Sequence, residues 1–286
     1  MRFLSYISNM TKNLDQQGIK SIADNYDLFF IDLWGVVHNG IKLYDHSIEV
    51  LESLTSAKKE FVLLTNAPRP NEPVVNFLKT LGLKNFFNNV FTSGEAALKY
   101  LISGHKEQKF FHIGSARDYD LFKNFKYNKV SNIQDSNYLL CTGLIEAHDR
   151  KSYLKVNLDY YENLLADHVS KKMVCTNPDL IVDRGNVREY CAGTIAKLFE
   201  KINGKVVYFG KPYPPVYNLS ISIKNKKVLC IGDNLNTDIK GANVQNFDSL
   251  LVTDGIHKNE LSQMEPNRLF QKYKVNVDYT QTILKW

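Results

Sequence analysis

Along this chain short unbroken apolar runs alternate with stretches whose apolar residues recur at helical spacing, and the runs end on polar residues. Asp27-Leu-Phe-Phe-Ile-Asp32 is such a run, closed by a carboxylate and followed by Leu33-Trp34-Gly35. A strand buried on both faces reads this way, because its side chains alternate between two covered surfaces. Glu60-Phe-Val-Leu-Leu-Thr65 repeats the pattern and passes into Asn66 before Pro68 and Pro70 stop the element. Between the two runs, Ile48, Leu51 and Leu54 share one helical face, which predicts a helix over Ser47–Lys58. A third strand, Val90–Ser93, leads into a helix opening at Gly94-Glu95. Strand, helix and strand in this order predict βαβ units and a parallel sheet. The pattern returns at Val206–Phe209, before Gly210-Lys211-Pro212, and at Val228–Ile231, before Gly232-Asp233.

The middle of the chain carries its own strands, at Phe110–Ile113, Tyr138–Thr142 and Met173–Thr176, and its own helices, at Tyr153–Leu165 and Tyr190–Lys201. The expected fold class is therefore α/β. Residues 1–97 and 205–286 would form a Rossmann-like doubly wound parallel sheet, and residues 98–204 an inserted α/β cap domain. A length of 286 residues accommodates two cores, and no Gly/Ser linker or short repeat separates them, so the junctions are expected to be short hinges.

Composition narrows the partners. The formal charge of +6 arises from 36 basic and 30 acidic residues with the lysines scattered, which favours anionic substrates. No Arg-rich stripe, zinc-finger spacing or aromatic RNA-binding signature is present, so no nucleic-acid partner is expected. Cys141, Cys175, Cys191 and Cys230 form no CxxC pair, and Cys230 lies within an apolar run, which fits reduced thiols in a cytoplasmic protein. Met1–Met10 resembles neither a signal peptide nor a membrane span, so no membrane association is expected.

In open α/β sheets ligands bind beyond the carboxyl ends of the strands, where Asp32, Thr65, Asn66, Lys211 and Asp233 would converge. Asp233 and Asp238 place two carboxylates in one tight loop, suited to a hard cation with oxygen ligands. Each residue also has a plainer reading: Asp32 as a helix cap or structural carboxylate, Lys211 as a solvated lysine, Asp238 as an N-cap. Together, Asp32-Leu-Trp-Gly-Val-Val, Thr65-Asn66, Gly210-Lys211-Pro212 and Gly232-Asp-Asn-Leu-Asn-Thr-Asp238 resemble the four ordered motifs of the haloacid dehalogenase-like superfamily. With its large insertion between the second and third motifs, the chain is similar to the class IIA sugar and nucleotide phosphatases related to NagD. Thr176-Asn177-Pro178-Asp179 resembles the cap loop of that subgroup.

The resemblance implies a Mg²⁺-dependent phosphatase acting on a small organic phosphate monoester, a sugar phosphate or a nucleotide. Asp32 would be the nucleophile that forms an aspartyl-phosphate. Asp32, the backbone carbonyl of Trp34 and Asp233 would hold Mg²⁺. Thr65, with backbone N–H groups near Asn66, would bind phosphoryl oxygens, and Lys211 would neutralise developing charge. Asp238 would orient Lys211 or the metal waters. The inserted domain would close over the site and read the substrate with Thr176, Asn177 and Asp179, although Asn-Pro-Asp is also a strong turn former. Asp183, Arg184 and Arg188 follow closely, the arginines as partners for a second anionic group or as solvated side chains. A homodimer through the inserted domain is a further expectation that no sequence signal specifies.

One position departs from the superfamily pattern. Two residues after the nucleophile its phosphatases usually carry a second Asp, which protonates the leaving group and then activates water; here Trp34 stands there. An indole does no acid–base work near neutral pH, work typically worth about 10²–10⁴ in rate. Either another residue supplies the proton, or the leaving group needs none, or turnover is slow. His38 is the nearest proton carrier, and Glu146, His148 or the substrate itself are alternatives. The alternative function is a phosphometabolite-binding or regulatory protein that kept the cradle without turnover. Phosphoryl transfer and attack at carbon are the other reactions the superfamily accommodates.

Overall fold

A computed structural model describes residues 11–145, 156–184 and 187–286. The first part of the chain forms β1 (Lys12–Asn13), β2 (Leu28–Ile31), β3 (Glu60–Thr65) and β4 (Val90–Thr92). The middle forms β5 (Phe110–Ile113), β6 (Lys129–Val130), β7 (Tyr138–Cys141), β8 (Lys172–Cys175), β9 (Ile181–Arg184), β10 (Val187–Tyr190) and β11 (Lys205–Tyr208). The last part forms β12 (Val228–Gly232), β13 (Asp248–Val252) and β14 (Tyr279–Gln281).

Seven strands pair in the order β1-β14-β13-β12-β2-β3-β4, parallel throughout. Alternation along the strands explains the unbroken apolar runs. Phe29, Ile31, Phe61, Leu63, Leu229 and Ile231 enter one apolar cluster, while Leu28, Phe30, Val62, Leu64, Val228 and Cys230 enter another on the opposite face. Helices cover both faces, including Asp45–Ser56, which buries Val50, Leu51 and Leu54, and Ser93–Gly104, which buries Ala96, Ala97 and Leu101. Each large apolar side chain so buried contributes about 1.5–3 kcal/mol. The chain winds from β2 outward to β4 and from β12 outward to β14, so the winding direction reverses between β2 and β12. A crevice opens at such a reversal, beyond the carboxyl ends of the strands.

The second sheet, also parallel, has the order β11-β8-β7-β5-β6, and β9 with β10 forms an antiparallel hairpin beside it. Phe110, Tyr138, Leu140 and Val174 from this sheet join the same cluster as Phe30 and Leu64, so the two sheets share apolar packing. Lys205–Tyr208, expected in the first sheet, instead pairs with β8 in the second. A buried parallel strand presents the same apolar run in either sheet, and only pairing assigns it. The helix expected over Ser47–Lys58 runs over Asp45–Ser56, and that over Tyr190–Lys201 begins at Ala192. The helix expected from Tyr153 is described over Leu158–Ala166. Among the described residues no helix is long and apolar enough to cross a membrane. All four cysteines are buried and unpaired.

Candidate active site

Asp32 leaves the carboxyl end of β2 and Asp233 that of β12, the two strands at the reversal point. The Asp32 N–H donates to the Ile231 carbonyl at 2.9 Å, which continues the ladder and fixes where the carboxylate emerges. Lys211, 4% exposed, follows β11 and brings its Nζ into contact with an Asp32 oxygen and to 2.7 Å from Asp238 Oδ1. Asp238 lies within the helical turn Leu235–Ile239, whose N-cap is Asn234, and its Oδ2 accepts the Asn234 N–H at 3.1 Å. Its carboxylate therefore serves Lys211 and a loop amide rather than capping the helix.

Oxygens of Asp32, Asp233 and Asp238 lie within 4.8 Å of one another, and all three residues are buried. Such a set strains electrostatically, because desolvation and mutual repulsion both disfavour the charged forms. Burial, partly offset by Lys211 and reinforced by Asp238 and Asp233, holds the Asp32 carboxyl well above the usual range. Burial and Asp238 push Asp233 up to about 7, against the Ile256 N–H that donates to it at 2.9 Å. For Lys211 burial acts downward, but Asp238 and Asp32 outweigh it and keep the ammonium protonated far into the alkaline range. Three carboxyls clustered beside one ammonium form an all-oxygen donor set whose full ionisation a hard divalent cation would offset. The seat of Asp233 is also shaped closely: Gly35 adopts φ +82°, and a Cβ there would lie 2.2 Å from Asp233 Oδ2.

Thr65 ends β3 and lines the niche with Asp32; its Oγ1 accepts the Ala67 N–H at 3.3 Å. Asn66 locks the surroundings in place. Its Oδ1 accepts the Lys211 N–H at 2.7 Å, and its Nδ2 donates to the Lys211 carbonyl and to Asp179 Oδ1, each at 3.0 Å.

Beyond this niche lies a cleft of about 410 Å³ between the two sheets, walled by Trp34, Arg69, Ser115, Arg117, Asn177 and Tyr190 among others. Trp34 lines it, and its indole donates from Nε1 to the Asp183 carbonyl of β9 at 2.6 Å. Arg69 and Arg117 were not singled out in the sequence; the only signals were the Pro68-Arg69-Pro70 stop after Asn66 and a polar break after β5.

The other residues named from the sequence are placed as follows. Thr176 is fully buried and its Oγ1 donates to the Cys141 carbonyl at 3.4 Å, so it faces the second sheet's interior and not the cleft. Asn177 does line the cleft, but its Oδ1 is occupied by the Asp179 N–H at 2.9 Å, the expected turn. Arg188 forms two hydrogen bonds with Asp183, of 2.7 and 2.8 Å, because the two residues are cross-strand partners, so it is paired within its own hairpin. His38 packs edge-on against Trp34 and Phe77, and its Nδ1 accepts the Gly40 N–H at 2.9 Å. Burial lowers it to about 4, so the ring is neutral at pH 7 and has no acidic proton to offer there. Glu146 and His148, and the side chain of Arg184, lie outside what the structure describes.

The chain is similar to known proteins in sequence and fold. A family profile described as haloacid dehalogenase-like hydrolase matches residues 29–128, and a second, HAD-hydrolase-like, matches residues 208–273. Phosphoglycolate phosphatase 1A, chloroplastic, of Arabidopsis thaliana is 23% identical, over 90% of this chain and 75% of that protein. D-glycerol 3-phosphate phosphatase of Mycobacterium tuberculosis is 26% identical, over 84% of this chain and 66% of that protein. A crystal structure of a haloacid dehalogenase-like family hydrolase from Brucella suis 1330 superposes with a TM-score of 0.78 at 26% identity, covering 93% of this chain and 98% of that one.

Proposed function

Because this chain belongs to the haloacid dehalogenase-like hydrolases, we propose that it is a Mg²⁺-dependent phosphatase of small organic phosphate monoesters that works through an aspartyl-phosphate on Asp32. The observation that carries this reading is the buried contact of Lys211 with both Asp32 and Asp238, beside Asp233, at the reversal point of the sheet. A buried nucleophilic carboxylate cannot approach a phosphate dianion unaided, since like charges repel strongly at low effective dielectric. Lys211 offsets part of that repulsion and stays fully charged while doing so. Asp32, Asp233 and the Trp34 carbonyl would hold Mg²⁺, which when bound neutralises further charge on the phosphoryl oxygens.

Asp32 would attack phosphorus in line with the leaving oxygen, with Thr65 and the backbone after it steadying the phosphoryl group. Asn66 keeps Lys211 and the loop carrying Asp179 in fixed register, so nucleophile and positive charge do not need to reorganise. The second sheet would act as a cap that excludes water and reads the rest of the substrate. By their names the two curated relatives act on phosphoglycolate and on glycerol 3-phosphate, both small phosphate esters. The cleft here, about 410 Å³ and bordered by Arg69 and Arg117, suits substrates of that size or a sugar phosphate or nucleotide. The buried, unpaired thiols favour a reducing compartment such as the cytoplasm.

The test is steady-state hydrolysis of a panel of phosphate monoesters with Mg²⁺ or EDTA, on wild type and Asp32→Asn. Turnover that needs the metal and falls to background in the variant is expected. Turnover undiminished in Asp32→Asn would remove the nucleophile assignment, and metal-dependent phosphate binding without turnover would favour a binding or regulatory protein, which Trp34 makes the second reading.

A further inference from the structure

The niche around Asp32 and the larger cleft meet along one rim, and Trp34, Thr65, Asn66, Asp179 and Val182 line both. A phosphoryl group over Asp32 with its organic remainder in the larger cleft places the scissile P–O bond across this rim. Indole, amide and valine side chains have no proton to exchange in the working range, and a threonine hydroxyl ionises far above it. Among those five residues that leaves one carboxyl. Resting on the phosphatase reading, we propose that Asp179, on the loop after β8, is the catalytic acid and base that replaces the carboxyl absent at position 34.

Its loop is held on both sides. The Asp179 N–H donates to Asn177 Oδ1 at 2.9 Å, and the Asp179 carbonyl accepts the Gly193 N–H at 3.1 Å. The helix Ala192–Lys201 comes so close that a Cβ on Gly193 would lie 2.5 Å from that carbonyl oxygen. Asp179 Oδ1 accepts Asn66 Nδ2, and Asn66 is fixed to the Lys211 backbone, so a single amide indexes Asp179 to the lysine that touches Asp32. The charged and titratable groups around it are Lys211, Asp238 and Asp233 across the niche and Cys191 on its own side. Burial raises the Asp179 carboxyl to about 6; Lys211 and the Asn66 bond act downward and Asp238 upward. A carboxyl near 6 both gives and takes a proton readily at neutral pH.

In the first half-reaction an Asp32 oxygen bonds to phosphorus, the P–O bond to the leaving group breaks, and the leaving oxygen takes the Asp179 proton. In the second, the Asp179 carboxylate takes a proton from a water whose oxygen attacks the same phosphorus. The P–O bond to Asp32 then breaks, releasing inorganic phosphate and restoring Asp32 as carboxylate and Asp179 as acid.

The test compares an activated aryl phosphate with alkyl phosphates on wild type, Asp32→Asn and Asp179→Asn, all with Mg²⁺. An aryloxide leaves without protonation, but hydrolysis of the aspartyl-phosphate still needs a base. Asp179→Asn is therefore expected to give a burst of about one aryloxide per enzyme followed by slow turnover, and to lose alkyl phosphate kcat by about 10²–10⁴. A merely structural role produces no burst. Wild-type alkyl turnover in Asp179→Asn, with no burst, overturns the inference while Asp32→Asn still reports on the phosphatase reading. Absence of any metal-dependent turnover in wild type overturns both. Should Asp179→Asn not fold, wild type decides alone: kcat nearly independent of leaving-group pKa supports the inference, and a steep fall overturns it.

Discussion

His112 offers a stability prediction whose size follows from its surroundings. It lies on β5, 8% exposed, with its ring 4.8 Å from that of Phe122. The Thr142 hydroxyl proton is donated to Asp118 Oδ2 at 2.9 Å, so Thr142 Oγ1 must accept from His112 Nε2, 2.8 Å away, and the neutral ring carries its proton there. Burial, helped by Lys129, lowers His112 from 6.5 to about 3. Below pH 6.5 the unfolded chain therefore binds a proton that the folded chain refuses, and stability falls with pH until the folded value is reached. At pH 5 the unfolded histidine lies about 1.5 pH units below its own pKa, and at 1.36 kcal/mol per unit this costs about 2 kcal/mol. That is a large share of a typical total of about 5–15 kcal/mol. Asp233 and Asp179, with raised folded pKa values, take up protons first in the folded state and act in the opposite sense in this window. The wild-type curve alone would mix the two effects, so the assay is urea unfolding of wild type and His112→Gln at pH 7 and pH 5. Glutamine keeps a donor for Thr142 and does not titrate. The variant is expected to gain about 2 kcal/mol relative to wild type on going from pH 7 to 5. An equal stability difference at both pH values would refute a neutral, desolvated His112.

Two further outcomes concern the site. Lys211→Met leaves Asp32 and Asp238 buried without their shared cation; a loss of about 3–5 kcal/mol in denaturant stability is expected, with kcat down by about 10²–10³. Stability and kcat near wild type would show that Lys211 is dispensable. Gly35→Ala forces a Cβ to within 2.2 Å of Asp233 Oδ2 at φ +82°; a strain of about 1–3 kcal/mol and about 10-fold or more weaker Mg²⁺ activation of turnover are expected. An unchanged metal titration would argue that Asp233 does not hold the cation.

Much of the site was legible because of how a parallel sheet is buried. Strands covered on both faces read as apolar runs, and the first polar residues after them, Asp32, Thr65, Asn66 and Asp233, necessarily emerge at one edge. Lys211 was legible by its Gly and Pro neighbours, although the strand before it was assigned to the wrong sheet. Thr176 resembles Thr65 in sequence because the end of β8 looks like that of β3, and only the tertiary structure shows its hydroxyl donating to the Cys141 carbonyl. His38 stood near enough in sequence to serve as an acid, yet packing against Phe77 and Trp34 took it out of the working range.

The sequence alone determined the doubly wound class, the order of the elements and the carboxylates at the strand ends, because periodicity and strand-end position are local properties of the chain. Tertiary structure decided what lies across from them. It placed Trp34 against the carbonyl of Asp183, brought Arg69 and Arg117 to the cleft, tied Asp179 through Asn66 to Lys211, and put β11 beside β8. The first three depend on which faces of two sheets pack together and the last on strand pairing, and the partners, some more than a hundred positions apart, carry no mark of it in their own neighbourhoods.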